Sequence, residues 1–189
     1  MTAPIRPQHE IQPVPENHLR SVLEAYKVTE LVAVVGIRGY VKQFAQATAG
    51  GNLIGVYDDA ICLVTPQECV TFLGNTDPSR TIDGRAILQA GYRYRYTRGI
   101  HGITGPKERQ RPAWVQAGPV VIRRYKNGVL GPIIEGQYIG CNIHNGSWTT
   151  TGSAACQTIV PERWKAFDSK LEAALKAVAQ TQFWYILTV

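Results

Sequence analysis

The chain is poor in the residue patterns that announce metal, redox or membrane chemistry. Of 189 residues, four are cysteine and four histidine. Cys62, Cys69, Cys141 and Cys156 form no Cys-x-x-Cys pair, which argues against a zinc knuckle or a thioredoxin-like motif. There is no His-Glu-x-x-His or comparable ligand spacing, so a zinc peptidase using His101, His144 and an Asp is a weak reading. No apolar run approaches the length that spans a bilayer. Met1 to Asn17 is polar and Pro-rich and lacks the apolar core of a secretory signal. No long Lys/Arg block is present. The basic residues come as pairs and alternations, such as Arg93 and Arg95 or Arg123 and Arg124, which argues against a nucleic-acid arm. The expectation is a chain made in the cytoplasm, without a cleaved signal, stable membrane insertion, nucleic-acid partner, metal or cofactor.

What is present describes a folded domain. Hydrophobic residues make up 44% and charged residues 18%, a globular rather than disordered balance. Eighteen Gly and eleven Pro favour short strands and many turns over a helix bundle. The net charge of +6 favours anionic partners without choosing among them. The fold class expected is mainly β with helices (α+β). Residues 1–29 should form an N-terminal arm and a short helix, and residues 30–189 the main domain.

Asn17 can cap a helix running to Tyr26, with Leu19, Val22, Leu23 and Tyr26 on one face. Strand patterns cover Leu31–Ile37, Leu53–Tyr57, Ala60–Thr65, Cys69–Leu73, Tyr92–Thr97, Trp114–Tyr125 and Tyr138–His144. The run Val120–Tyr125, the turn at Asn127-Gly128 and the strand from Tyr138 suggest a loose hairpin. Pro161–Gln180 reads as an amphipathic helix, with Trp164, Phe167, Leu171, Leu175 and Val178 at helical spacing. Phe183–Val189 reads as a closing strand. In Tyr92–Tyr96 the tyrosines share one face; the other carries Arg93 and Arg95, placed to meet substrate carboxylates.

Chemically able residues are densest between Ile139 and Ile159. An apolar strand delivers His144 to its end, and a loop rich in Gly, Ser and Thr follows. Gly152-Ser153-Ala154-Ala155 then turns into Cys156. Small residues before a cysteine let backbone N–H groups crowd round the sulfur, where they can lower a thiol pKa and stabilise an oxyanion. A histidine across the loop can act as the base. Cys156 is therefore the candidate nucleophile and His144 the candidate base. The other three cysteines read as small buried hydrophobes.

This segment resembles the signature of the YkuD-type L,D-transpeptidase catalytic domain. His144-Asn145-Gly146 is similar to its Ile-His-Gly-like strand end, and Ser153-Ala154-Ala155-Cys156 to its Ser/Thr-His-Gly-Cys. The family's His-Gly before Cys is Ala154-Ala155 in this chain. Val34–Tyr40, Tyr57–Ala60, Asn75–Arg80, Gly99–Gly102 and Cys156–Ile159 are similar to a phage and prophage group of that class, across roughly residues 30 to 189. The resemblance implies an L,D-transpeptidase-like β-sandwich or barrel with a C-terminal amphipathic helix. It implies a cysteine L,D-carboxypeptidase, endopeptidase or transpeptidase acting on peptidoglycan stem peptides. Backbone amides of Ala154, Ala155 and Cys156 would form the oxyanion hole. His101, Ser153, Thr158, Tyr138 and Trp148 would meet substrate. Such a chain would work in the periplasm or cell wall after phage-type release, or as a virion or secretion-machine component docked through its N-terminal arm. The competing expectation, supported by Ala154-Ala155, is a non-catalytic peptidoglycan-binding or virion structural module.

Overall fold

A computed structural model describes residues 11–41 and 52–189. The first part of the expected Pro-rich arm, and most of the Gly50-Gly51-Asn52 turn, lie outside the described residues. The architecture is mainly β with two helices, α1 (Glu16–Ala25) and α2 (Pro161–Ala177).

Eight strands close into a barrel. They are β1 (Ala33–Ile37), β2 (Asp59–Val64), β3 (Cys69–Asn75), β5 (Tyr92–His101), β6 (Arg111–Gln116), β10 (Ile143–Asn145), β11 (Gln157–Ile159) and β12 (Gln182–Thr188). Around the barrel the order is β1, β12, β5, β6, β10, β11, β3, β2. A small second sheet joins β4 (Ala86–Leu88), β7 (Val120–Lys126), β8 (Val129–Leu130) and β9 (Ile134–Gln137).

The two-residue period of a strand sends alternate side chains to opposite faces. In β1, Val34 joins the main core with Tyr96, Trp114, Phe183 and Tyr185. Its neighbours Ala33, Val35 and Ile37 face the other way, against Leu19 and Leu23 of α1. Both faces are covered, so the whole strand is buried. α1 thus lies against the opposite face of β1, in a cluster separate from the main core. α2 delivers Phe167, Leu171 and Leu175 to the main core. Each such side chain contributes about 1.5–3 kcal/mol when fully buried.

Several local expectations are corrected. Leu53–Tyr57 is not a strand, because Gly55 takes a left-handed turn at φ +75°. The run Trp114–Tyr125 divides into β6 and β7 at Ala117–Pro119, where Pro119 cannot donate to a ladder. The Asn127-Gly128 turn returns onto β7 through β8, with β9 pairing further along β7, and not through Tyr138–His144; that segment is irregular until β10, with Gly140 at φ +67°. Asn17 does not cap α1, whose N-cap position is Pro15. The arginine face of β5 is engaged within the protein. Arg95 pairs with Glu30 at 2.6 Å and lies over the Trp184 ring, and Arg93 donates to the carbonyls of Tyr26 and Lys27.

Candidate active site

β10 and β11 are parallel neighbours, with His144 opposite Thr158 and Ile143 opposite Gln157. Cys156 immediately precedes β11, so the pairing sets it beside Asn142 and the end of the strand that carries His144. The loop between them is anchored by Tyr57, whose hydroxyl donates to the Ser147 carbonyl at 3.0 Å and accepts from the Ser147 amide at 3.0 Å. Gly146 is required there: a Cβ would lie 2.1 Å from the Tyr57 hydroxyl oxygen. Gly152 turns the chain at φ +77°.

The turn into the nucleophile is clamped from outside. The Ser153 amide donates to Ser79 Oγ at 2.9 Å, and the Ser79 amide donates back to the Ser153 carbonyl at 2.9 Å. The Ala86 amide donates to the Ala154 carbonyl at 3.2 Å. Ser153 Oγ donates to the Cys156 carbonyl at 2.7 Å. Among the described residues, no carbonyl accepts from the amides of Ala154, Ala155 or Cys156. They remain available to an oxyanion.

β5 brings His101 to the same place, since β5, β6 and β10 are adjacent in the barrel. One ring nitrogen of His101, one of His144 and Cys156 Sγ all lie within 4.8 Å of one another. The two imidazole centroids are 4.2 Å apart. His144 Nδ1 lies 2.7 Å from the Asn145 carbonyl oxygen, which makes Nδ1 the donor and leaves the lone pair on Nε2. Nε2 is buried without a hydrogen-bond partner. The Asn142 side-chain amide reaches His101 Nδ1 at 3.1 Å, while its oxygen accepts from the Gln116 amide at 3.1 Å. The Asn142 backbone N–H points at Cys156 Sγ, 3.4 Å away, and the thiol is directed at the Gly140 carbonyl at 3.5 Å.

Burial pushes the Cys156 thiol up to about 11, against a weaker downward pull from the Asn142 amide, Arg111 and the Ala155 amide. Burial, and then His101, lowers His144 to about 3. His101 is also lowered, by burial and then by Arg111. At neutral pH the resting pair is thus a thiol and a neutral imidazole, not a thiolate–imidazolium pair. A neutral imidazole can take the thiol proton as bond formation begins. Sγ and Nε2 are not hydrogen-bonded at rest, and catalytic contacts commonly tighten on substrate binding.

A cavity of about 320 Å³ opens beside the thiol, lined among others by Ser79, Arg85, His101, Ser153, Ala154 and Cys156. Of the expected site residues, His101, Ser153, Ala154 and Cys156 line this cavity, while His144 meets Cys156 and His101 from a fully buried position. Ala155 is buried with Cys156 in the turn. Thr158 is corrected: it is fully buried behind the site, where substrate cannot touch it. Tyr138 and Trp148 are 73% and 60% exposed, but neither lines the cavity. Asn142 was missed; it sits just before β10, two residues ahead of His144. The wall from Ser79 to Arg85 and the Asn145 carbonyl carry no local signal.

Among the described residues, His101, His144 and Cys156 are also the one group with the donors and proximity to hold a metal ion. A set of one thiolate and two imidazoles suits zinc, with a fourth position open to the cavity. No helix among the described residues is long and apolar enough to cross a membrane. No known protein family, curated protein or solved structure matches the chain.

Proposed function

We propose that the chain is a cysteine peptidase of the L,D type, acting on peptidoglycan stem peptides through a thioester. The observation that carries this reading is the meeting of Cys156 Sγ with a histidine whose Nδ1 is tethered and whose Nε2 is unpartnered, at the wall of an open cavity. The segment's resemblance to L,D-transpeptidases supplies the substrate class.

In this mechanism Sγ attacks the carbonyl carbon of the L-centre preceding a D-residue, and the thiol proton passes to His144 Nε2. The negative charge on the tetrahedral oxygen is held by amides of the Ala154–Cys156 turn. The C–N bond then breaks, His144 returns the proton to the leaving amine, and a thioester remains. Water, deprotonated by His144, attacks that thioester and releases a carboxylic acid and the free thiol. An amine in place of water would make the chain a transpeptidase; hydrolysis is the reading adopted. Release by a phage-type route, or a place in a virion, belongs to the same proposal and rests on the resemblance alone.

Mass spectrometry of purified muropeptides after incubation tests it. Wild type should remove or cleave at the D-residue, and Cys156→Ala should not. Identical, unprocessed products from both overturn the enzyme reading.

One observation favours a second reading, a non-catalytic peptide-binding module: the thiol is 5% exposed and its pKa is raised by burial. Alkylation separates the two. The enzyme reading expects native Cys156 to be modified at a rate climbing with pH, with protection by substrate peptide. The module reading expects modification only on unfolding.

A further inference from the structure

We propose that Arg85, in the added field of Arg111, forms a carboxylate subsite beside Cys156, so that the peptide must carry a free carboxylate close to the scissile bond. This rests on the reading of Cys156 as the nucleophile.

The cavity wall carries Arg80 and Arg85 and no Asp or Glu among the described residues. Arg111 adds to the same field. It faces His101 across β5 and β6, and its charge is felt at His101, His144 and Cys156. Several arginines elsewhere are already occupied. Arg38, Arg95 and Arg98 hold carboxylates, and Arg93, Arg123 and Arg124 hold backbone carbonyls. The half-buried Arg85 guanidinium has no ion pair or hydrogen bond among the described residues, although its backbone is fixed at both ends. Its amide donates to the Ile82 carbonyl at 3.1 Å and its carbonyl accepts from the Tyr125 amide at 2.8 Å. The next residue, Ala86, is the one bonded to the turn before Cys156. The backbone carrying this cation is thus fixed on the wall that the nucleophile shares, with the guanidinium uncommitted. A guanidinium matches a carboxylate with two parallel hydrogen bonds. A cavity of about 320 Å³ has room for an amino-acid residue bearing one.

Two carboxylates of a stem peptide have this chemistry: the C-terminal carboxylate of the departing D-residue, and a side-chain carboxylate on the acyl-donor residue. Three synthetic tetrapeptides distinguish them: the free acid, its C-terminal amide, and the variant amidated at the donor side chain. The amide whose KM rises identifies the carboxylate held. We expect Arg85→Gln to raise KM for the free acid by about tenfold with kcat nearly unchanged, the loss of about 1.4 kcal/mol of binding. It should add nothing for the amide lacking the recognised group. Arg85→Lys should fall between the two, and Lys165→Gln, the same charge loss on the exposed face of α2, should match wild type.

Equal KM for all three peptides on wild-type enzyme overturns the proposal, and that arm needs no variant to fold. So does an Arg85→Gln effect that is the same for acid and amides. Calorimetric binding of the free acid to Cys156→Ala, with and without Arg85→Gln, keeps the two ideas apart. Arg85-dependent binding without wild-type turnover sustains the subsite and sinks the enzyme. Cys156-dependent turnover indifferent to the carboxylates does the reverse.

Discussion

Two buried polar clusters sit in this barrel, and they are built on opposite principles. In one, Asp58, Asp59 and Asp77 surround Arg38. Asp59 accepts from the amides of Gly39 and Thr76, Asp58 accepts from the Leu53 amide, and Asp77 pairs with Arg38 Nε at 3.1 Å. Arg38 also donates to the carbonyls of Thr76 and Leu88. In the other, His101, His144 and Cys156 are neutral, and His144 keeps an unpartnered nitrogen beside an open cavity. The first cluster commits most of its hydrogen bonds to the fold, with Asp58 Oδ1 and Asn75 Oδ1 left buried and unpartnered among the described residues. It pins the segment from Asn75 to Asp77, which leads into Ser79 and so into the clamp on the Cys156 turn. The second holds capacity in reserve for a ligand. Burial and an unpartnered atom do not by themselves distinguish a structural cluster from a chemical one; the cavity that reaches the thiol does.

The largest effect that would sharpen this contrast is on stability. Arg38→Met leaves the buried Asp77 carboxylate without its cation and should cost about 3–5 kcal/mol. Cys156→Ala should shift the urea midpoint by the equivalent of about 1 kcal/mol or less. Similar losses from both would break the comparison. In the chemical cluster, His144→Gln should lower turnover on stem peptides by on the order of 10²- to 10⁴-fold while the chain stays folded.

The clusters should also respond to pH with opposite signs. Asp58 is raised to about 7, chiefly by burial. Between roughly pH 4 and 7 the folded chain keeps a proton that the unfolded chain has lost, so this group makes stability fall as pH rises. His144 is lowered to about 3. Between roughly pH 3 and 6.5 the unfolded imidazole takes a proton that the folded one refuses, so this group makes stability fall as pH drops. Each slope is at most about 1.4 kcal/mol per pH unit. Because the two slopes overlap and oppose each other below about pH 6.5, urea midpoints from pH 4.5 to 8 should climb more steeply with pH in Asp58→Asn, and less steeply in His144→Gln, than in wild type. The smallest effect expected is at His101, which touches His144 without tethering it. His101→Gln should lower kcat/KM by about tenfold, and an effect as large as that of His144→Gln would make His101 the base instead.

Much of the framework is legible along the chain because it is local. The spacing of Phe167, Leu171 and Leu175 marks α2, and alternation along β5 separates the buried Tyr94 and Tyr96 from the arginines between them. Cys156 and His144 are legible because strand end, loop and small-residue turn follow one another within one segment. Their neighbours are not. His101 and the Ser79–Arg85 wall arrive from distant strands, and the sequence carries no mark of that pairing. The same holds for the error at β5: a row of arginines reads as a substrate-facing surface until Glu30 and Trp184 are seen to occupy Arg95.

The sequence by itself determined an α+β chain with a candidate thiol and a candidate base, since periodicity, turn chemistry and a compact motif are properties of neighbouring residues. Only the tertiary structure decided that Thr158 lies behind the site, that Asn142 braces both His101 and Cys156, and that Arg38 is paired with Asp77 while Arg85 is left at the cavity. The physical reason is barrel closure. It sets β5, β6, β10 and β11 side by side, and which polar groups end up paired, buried or open depends on strands far apart in the chain.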